Sequence, residues 1–331
     1  MVRRIKVAHI GNTANVAYYY SFLLKQYNVE STIFQTNSPS SQMVKTYYGY
    51  ESGNPLNLNL EFYDEKKKIF KFREIANTYD ILELHEGGGF FSPALRITTA
   101  KKIAHFHGTE LRSQKLNKIL LRMVLRLAGF NHIFLSTDDL VNYIWDKKAE
   151  VLLNPIDPYL SSIKTNSGGY IFLPTRLDDK IKGSNYFFSA WKTIREKLPE
   201  IKLIAINWGP DSKKYMNMTN NDKKITWLPL QNRNDYVDIL SKADLVVGQF
   251  NFNILSLIEE ESISLKKPVV SLKASNTNEP KKIANEIVQL FTDKNYLETT
   301  INNQSSMISP FNSSSLSKQL YNAYIKLLGI A

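Results

Sequence analysis

Ile5-Lys6-Val7-Ala8-His9-Ile10-Gly11-Asn12-Thr13 opens the chain with a short apolar run that stops on a glycine and two polar residues. A run of this length, ended by turn formers and followed by helical spacing from Ala14 to Gln26, reads as a buried strand, a tight turn and a helix. Ser31 to Phe34 supplies the next strand, so the chain begins with a β–α–β unit. The alternation resumes at Ile81 to Leu84, Ile103 to Phe106 and Ile133 to Leu135, each run ending in small or polar residues such as Gly87-Gly88-Gly89, Gly108-Thr109 and Ser136-Thr137. After Asn154-Pro155-Ile156-Asp157 a second series follows: Tyr170 to Leu173, Ile201 to Ile206, Ile225 to Trp227, Leu245 to Val247 and Pro268 to Leu272. Two parallel α/β sheets joined near residue 155 are the simplest architecture for this pattern. Ser161 to Gly169 has linker composition, and Leu316, Leu320, Tyr321, Tyr324, Leu327 and Leu328 recur at the spacing of a closing amphipathic helix.

Composition agrees with two folded domains. The chain has 331 residues, of which 43% are hydrophobic, 22% charged and 12% aromatic, which excludes disorder as its main state. Absence of cysteine excludes disulfides, thiolate metal sites and cysteine nucleophiles and fits a reducing compartment. Forty-two basic against 31 acidic residues give a net charge of +11, so anionic partners are favoured: phosphate-bearing ligands, anionic lipid or nucleic acid. The apolar run ending at Ile10 reads as a first strand, not a signal peptide, and no window reaches the roughly 18 apolar residues of a membrane span.

Open parallel sheets bind ligands beyond the carboxyl ends of their strands, so the residues just after each strand carry most of the functional information. In the first half these are Gly11, Asn12 and Asn15, Gly88 within the triple glycine, and Phe106-His107-Gly108-Thr109-Glu110-Leu111-Arg112. His107 stands either at a cleft or as a hydrogen-bonded loop histidine, and Glu110 and Arg112 either face an acceptor or pair with each other. In the second half, Arg176 and Lys182 lie on a loop that opens a helix near Ser184, where a guanidinium fork and an ammonium can grip a diphosphate. Glu259, Glu260 and Glu261 on a helix before Lys267-Pro268-Val269-Val270 offer one or two carboxylates to a ribose diol, the remainder of such a run being a solvated face. No clustered acidic ligands for a metal stand out, so neither a cofactor nor a metal is expected.

These segments resemble glycosyltransferase family 4, metal-independent retaining enzymes with the GT-B architecture of two facing Rossmann-like domains and an interdomain cleft. The resemblance covers most of the chain in the right order. It implies an acceptor-binding domain over 1–155, a nucleotide-sugar-binding domain over 156–313 and a terminal helix over 314–331 that packs back on the first domain. The Gly11 loop resembles the family's first loop, Phe106-His107-Gly108 its histidine loop at the reaction centre, and Asn154-Pro155-Ile156-Asp157 its interdomain Asn-Pro-x-Asp. Arg176 and Lys182-Gly183 resemble the diphosphate clamp. Glu261 falls on the second glutamate of the Glu-x7-Glu element, which implies a ribose-holding role.

The chain departs from the pattern at three points. Asn253 replaces the first glutamate, Ile254, Leu255 and Ser256 replace the small residues at the donor phosphates, and Gln249-Phe250 replaces the more usual loop. Arg176 and Lys182 are one residue farther apart than usual, which leaves Lys180 as a competitor for the clamp. The implied activity is transfer of a sugar from a nucleoside-diphosphate sugar to a glycan or polyprenyl-linked acceptor, with His107 at the reacting sugar. A catalytically silent relative and a nucleic-acid-binding protein are the alternatives; scattered basic residues and the lack of a recognised binding element argue against nucleic acid. Lys115, Lys118, Arg122 and Arg126 line one face of a helix whose opposite side carries Leu116, Ile119, Leu120, Met123 and Leu127. That helix is either an ordinary surface element or a contact with the anionic, cytoplasmic face of a membrane.

Overall fold

A computed structural model describes residues 4–36, 59–63, 74–75, 77–85, 98–112, 118–144, 146 and 149–330. The chain divides into two compact units, one formed by residues 1–45, 50–155 and 311–331, the other by 46–49 and 156–310.

The first unit is built on seven parallel strands: β1 (Ile5–Ile10), β2 (Val29–Thr36), β3 (Asn59–Tyr63), β4 (Ile81–Leu84), β5 (Lys101–Phe106), β6 (His132–Leu135) and β7 (Glu150–Val151). Their order across the sheet is β3-β2-β1-β4-β5-β6-β7. Ile81 to Leu84 is buried at every position, as expected where both faces of a parallel sheet are covered. One face packs Ala8, Ile10, Leu82, Leu84, Ala104 and Phe106 against Leu121, Leu125 and Ala128. The other packs Ile5, Val7, Ile81 and Ile103 against Val16, Tyr20 and the terminal helix Ser313–Leu328, through Leu316, Leu320 and Tyr324. Strands β3 and β7 escape the apolar pattern because they lie at the sheet edges. Tyr18, Tyr19 and Tyr20 are all buried, although neighbours on a helix cannot share one face: Tyr20 packs into the sheet cluster, while Tyr18 and Tyr19 pack with Ala17 and Ile33.

The second unit holds five parallel strands, β8 (Tyr170–Leu173), β9 (Lys202–Ile206), β10 (Ile225–Leu228), β11 (Leu245–Val247) and β12 (Val269–Val270), in the order β10-β9-β8-β11-β12. Ser184–Lys197 is the helix that follows β8, and its residues Phe187, Ala190, Trp191 and Ile194 pack with Ile171, Leu203 and Leu245 in the core. Trp208 is only partly buried: its Nε1 donates to the carbonyl of Pro174 at 2.9 Å and anchors the start of the loop after β8. The same loop is pinned again where Leu177 N donates to Trp208 O at 2.9 Å and Asp211 N to Leu177 O at 3.1 Å.

Gly209 makes that second pinning possible. It adopts φ +109°, and a Cβ there would stand 2.3 Å from the carbonyl oxygen of Leu177. Gly209→Ala is therefore expected to cost about 1–3 kcal/mol and to displace the Arg176 loop. Denaturant unfolding of the variant against the wild type measures this, and an unchanged midpoint would contradict the assigned packing.

Candidate functional site

Strand register gathers the polar residues of the first unit. His9 on β1 is paired with Glu83 on β4, and Glu83 with Ile103 on β5. Because side chains alternate along a strand, His9, Glu83, His85, His105 and His107 fall on one face, at the carboxyl ends of three adjacent strands. Glu83 accepts from His105 Nδ1 at 2.9 Å and from the hydroxyl of Tyr324. His85 Nε2 lies 3.1 Å from His9 Nδ1, and His85 Nδ1 lies 3.1 Å from His107 Nε2. Asn154 is the other polar neighbour of His107.

Burial controls the charge of this group. It pushes His85 and His107 well below the ordinary imidazole range, with the neighbouring histidines adding to the effect, and lowers His9 despite the attraction of Glu83. Burial alone would raise the Glu83 carboxyl, but the bonds from His105 and Tyr324, together with His9, outweigh it and hold that group below the usual carboxylate value. Tyr20 and Tyr324 are raised far above the usual phenol range by burial and by the Glu83 charge. One nitrogen from each of His85, His105 and His107 lies within 4.8 Å of the others, a spacing from which a metal ion could be held; His9, Glu83 and His85 form a second such group. Sequence reading singled out His107 alone. The signal it passed over is the alternate spacing Glu83-x-His85 and His105-x-His107 on neighbouring strands.

Other first-unit residues are tied locally. Gly11 turns at φ +83° and its N–H donates to Phe34 O at 2.8 Å. Asn12 accepts from Tyr18 N at 3.0 Å and donates to Asn15 Oδ1 at 3.0 Å, closing the loop upon itself. Arg112 pairs with Asp139 through two 2.8 Å bonds and with Thr137 at 2.7 Å, which makes Asp139 an acidic partner of Arg112 among the described residues. Gly88, Lys115 and the side chains of Glu110 and Lys118 lie outside the described residues, as do Tyr47, Tyr48 and Tyr50.

In the second unit, Asp178 shapes the loop: its backbone carbonyl accepts from Lys182 N at 2.7 Å and Gly183 N at 3.1 Å, and its carboxylate accepts from Ile181 N at 3.0 Å. Arg176 remains exposed, 3.7 Å from Asp178. Lys182, rather than the exposed Lys180, is turned inward, its ammonium donating to Gln249 Oε1 at 2.9 Å. Gln249 in turn donates to Ile254 O at 3.1 Å, which couples the two loops that sequence reading treated separately. Asn253 is exposed, and Ser256 caps the helix Leu257–Ser264.

The reading of the three glutamates as mainly a solvated face is overturned, since Glu259, Glu260 and Glu261 are all buried. Glu259 accepts from Gln249 N at 3.3 Å and from Ser256 N, an arrangement signalled in the sequence by the capping spacing Ser256-x-x-Glu259. Both oxygens of Glu261 are taken by Arg233, at 2.8 and 3.0 Å, and Arg233 also donates to Asp157 at 2.6 and 3.2 Å. Glu261 thus anchors a buried ion network instead of presenting a bare carboxylate. Arg233, whose place in the network the sequence did not disclose, is its hub. Burial raises Glu259 and Glu261, against the pull of Ser271, Ser256 and Lys182 on the first and of Arg233 on the second. Glu260 is pushed farthest above the carboxylate range, by burial and then by its two acidic neighbours.

Glu260 Oε2 is buried with no hydrogen-bond partner among the described residues. A carboxyl raised on folding takes up a proton, so its favourable contribution is complete below the ordinary glutamate pKa and is lost as pH rises through the folded value. Glu260→Gln removes that loss and should stabilise the protein by about 1–3 kcal/mol at neutral pH, with little gain in acid. Thermal unfolding across pH tests this; an equal effect at all pH values would refute it.

No protein-family model matches the chain, and no curated protein matches it by sequence. Its structure is similar to that of the pneumococcal O-GlcNAc transferase in complex with UDP and GlcNAc, at 11% identity and a TM-score of 0.69 over 98% of this chain and 99% of that one. Sucrose-phosphate synthase from Thermosynechococcus elongatus is similar at 11% identity and a TM-score of 0.67, covering 99% of this chain and all of that one (100%). UDP-GlcNAc 2-epimerase from Neisseria meningitidis bound to UDP-GlcNAc is similar at 14% identity and a TM-score of 0.63, covering 98% of this chain and 100% of the other. At such identities the likeness is one of fold: the chain has two parallel-sheet α/β domains of the GT-B kind.

Proposed function

We propose that this protein is a retaining glycosyltransferase that moves a sugar from a nucleoside-diphosphate sugar to a glycan or lipid-linked acceptor, without a metal at the diphosphate. The observation that carries this reading is the loop at the carboxyl end of β8, where Arg176 is exposed and Lys182 is fixed inward by Gln249 at the start of the helix Ser184–Lys197. Cleavage of the sugar–phosphate bond leaves negative charge on the departing diphosphate. Cations already held in place stabilise that charge as it develops, with no rearrangement to offset.

Donor contacts follow from the same loops: Arg176 and Lys182 on the diphosphate, Gln249, Asn253 and Ser256 beside it, and Gly11 as the close-approach loop of the first unit. Glu261 acts on the ribose through or alongside Arg233, and His107 orients the transferring sugar as a neutral imidazole. Asn15, Gly88, Glu110 and Arg112 belong to the acceptor side. Arg176→Ala and Lys182→Ala should each lower turnover about a hundredfold with little change in unfolding temperature. Product analysis with a panel of nucleotide sugars is the assay. Retention of normal turnover by both variants would remove the clamp, and a free isomerised nucleotide sugar as sole product would make the chain an epimerase. Binding without turnover would mark the silent relative.

The helix Lys118–Leu127 supports a place at the cytoplasmic surface of an anionic membrane. Sequence spacing set Ile119, Leu120, Met123 and Leu127 opposite the basic residues; in the structure they share the outward side with Arg122 and Arg126, and other leucines face the core. Leu121 and Leu125 are 1% and 4% exposed, in the core, whereas Ile119, Leu120, Met123 and Leu127 are 73%, 52%, 53% and 59% exposed and flank the exposed Arg122 and Arg126. An outward apolar strip beside arginines suits the boundary between headgroups and acyl chains. No helix among the described residues is long and apolar enough to cross a membrane. Replacing Met123 and Leu127 by serine and Arg122 and Arg126 by glutamate should abolish sedimentation with anionic vesicles. Undiminished sedimentation would exclude this surface.

A further inference from the structure

We propose that His85, His105 and His107 form a binding site for a divalent transition-metal ion of the zinc class. This inference does not depend on the sugar-transfer reading. It stands on the direction in which each ring is held. His105 turns Nδ1 to Glu83 at 2.9 Å, and its Nε2 is buried with no hydrogen-bond partner among the described residues. His85 turns Nε2 to His9 at 3.1 Å. His107 Nε2 faces His85, and its Nδ1 is buried near Asn154 with no hydrogen-bond partner among the described residues. His85 and His105 therefore each have an outer polar partner that can fix the tautomer, the arrangement that orients metal-bound histidines, and a second nitrogen left for the interior.

With the outer nitrogens of His85 and His105 carrying the protons, their inner nitrogens are left as lone pairs. His85 Nδ1 and His107 Nε2 are 3.1 Å apart, a separation bridged either by one proton or by a metal ion between two lone pairs. Two imidazole nitrogens on one tetrahedral zinc, each at about 2.1 Å, are about 3.4 Å apart. The three ring centroids are separated by 4.6, 5.0 and 5.3 Å, near the spacing of about 5 Å that three imidazoles take around such an ion. The ligand atoms lie within 4.8 Å of one another, and binding of an ion would draw them closer by rotation of the rings. Imidazole donors select zinc, cobalt or nickel over magnesium, which prefers oxygen. His107, the least buried of the three, leaves the fourth position for water or a substrate oxygen.

The test uses the tag-free full chain, stripped with a chelator and titrated with Co(II), whose tetrahedral complexes give visible d–d bands, and with Zn(II) by calorimetry. Expected are about one ion per chain, a raised unfolding temperature with Zn(II) and none with Mg(II). His107→Gln and, separately, His85→Gln should each abolish the Co(II) bands. Circular dichroism checks that each variant folds. Absence of Co(II) bands and Zn(II) heat in the wild type would leave a shared proton in the cluster and overturn the site. So would unchanged binding in a folded His107→Gln variant, or equal thermal responses to Zn(II) and Mg(II).

Discussion

A carboxylate taken out of water must be surrounded by donors, and Glu83 meets that requirement by drawing on much of the first unit. Its oxygens receive His105 from β5 and Tyr324 from the terminal helix, with His9 from β1 at 3.7 Å. Removing any donor would leave an uncompensated buried charge, so this residue fixes the register of three strands and the seat of the last helix together. Hydrophobic packing of Leu316 and Leu320 brings that helix to the sheet; the phenol of Tyr324 decides where along it the helix stops.

The second unit applies the same rule with the charges reversed. Arg233 is the buried cation, and Asp157 and Glu261 are its two acceptors. Replacement by well-packed apolar residues could stabilise the fold at least as well, because desolvation consumes most of the Coulombic gain. What the network supplies is placement. Asp157 also accepts from Tyr159 N at 2.9 Å, which sets the course of the chain just after Pro155. Glu259 acts in parallel, holding the backbone at Gln249 and Ser256 and so the partner of Lys182.

The interior strands were legible because burial on both faces leaves short, mainly apolar runs, uninterrupted at Tyr170 to Leu173 and broken only by Glu83 at Ile81 to Leu84. Edge strands β3 and β7 carry no such signal. Loops were legible as positions: Gly11, His107, Arg176 and Lys182 all follow strands, where an open sheet exposes backbone groups. Their partners were not. Nothing in the linear sequence joins Lys182 to Gln249, Arg112 to Asp139 or Glu261 to Arg233, since these pairs depend on loop paths. The three glutamates misled for a physical reason: a charge run is solvated unless the fold supplies a guanidinium and backbone donors, and here it supplies both.

In the first unit the buried imidazoles and the carboxylate of Glu83 gather at the carboxyl ends of β1, β4 and β5, although Lys102 at the start of β5 and Ser31 and Thr32 on β2 are buried as well. Stability alone gives no reason for that distribution. Each buried imidazole or carboxylate carries a desolvation cost that an apolar side chain would avoid, and Glu260 bears it with one oxygen unpaired. A fold that accepts such costs at one edge keeps its charges rigid before any ligand arrives, which is the condition for stabilising charge that appears only during a reaction. The clustering of these groups where an open α/β sheet receives its ligands is therefore better explained by chemistry at that edge than by the demands of folding.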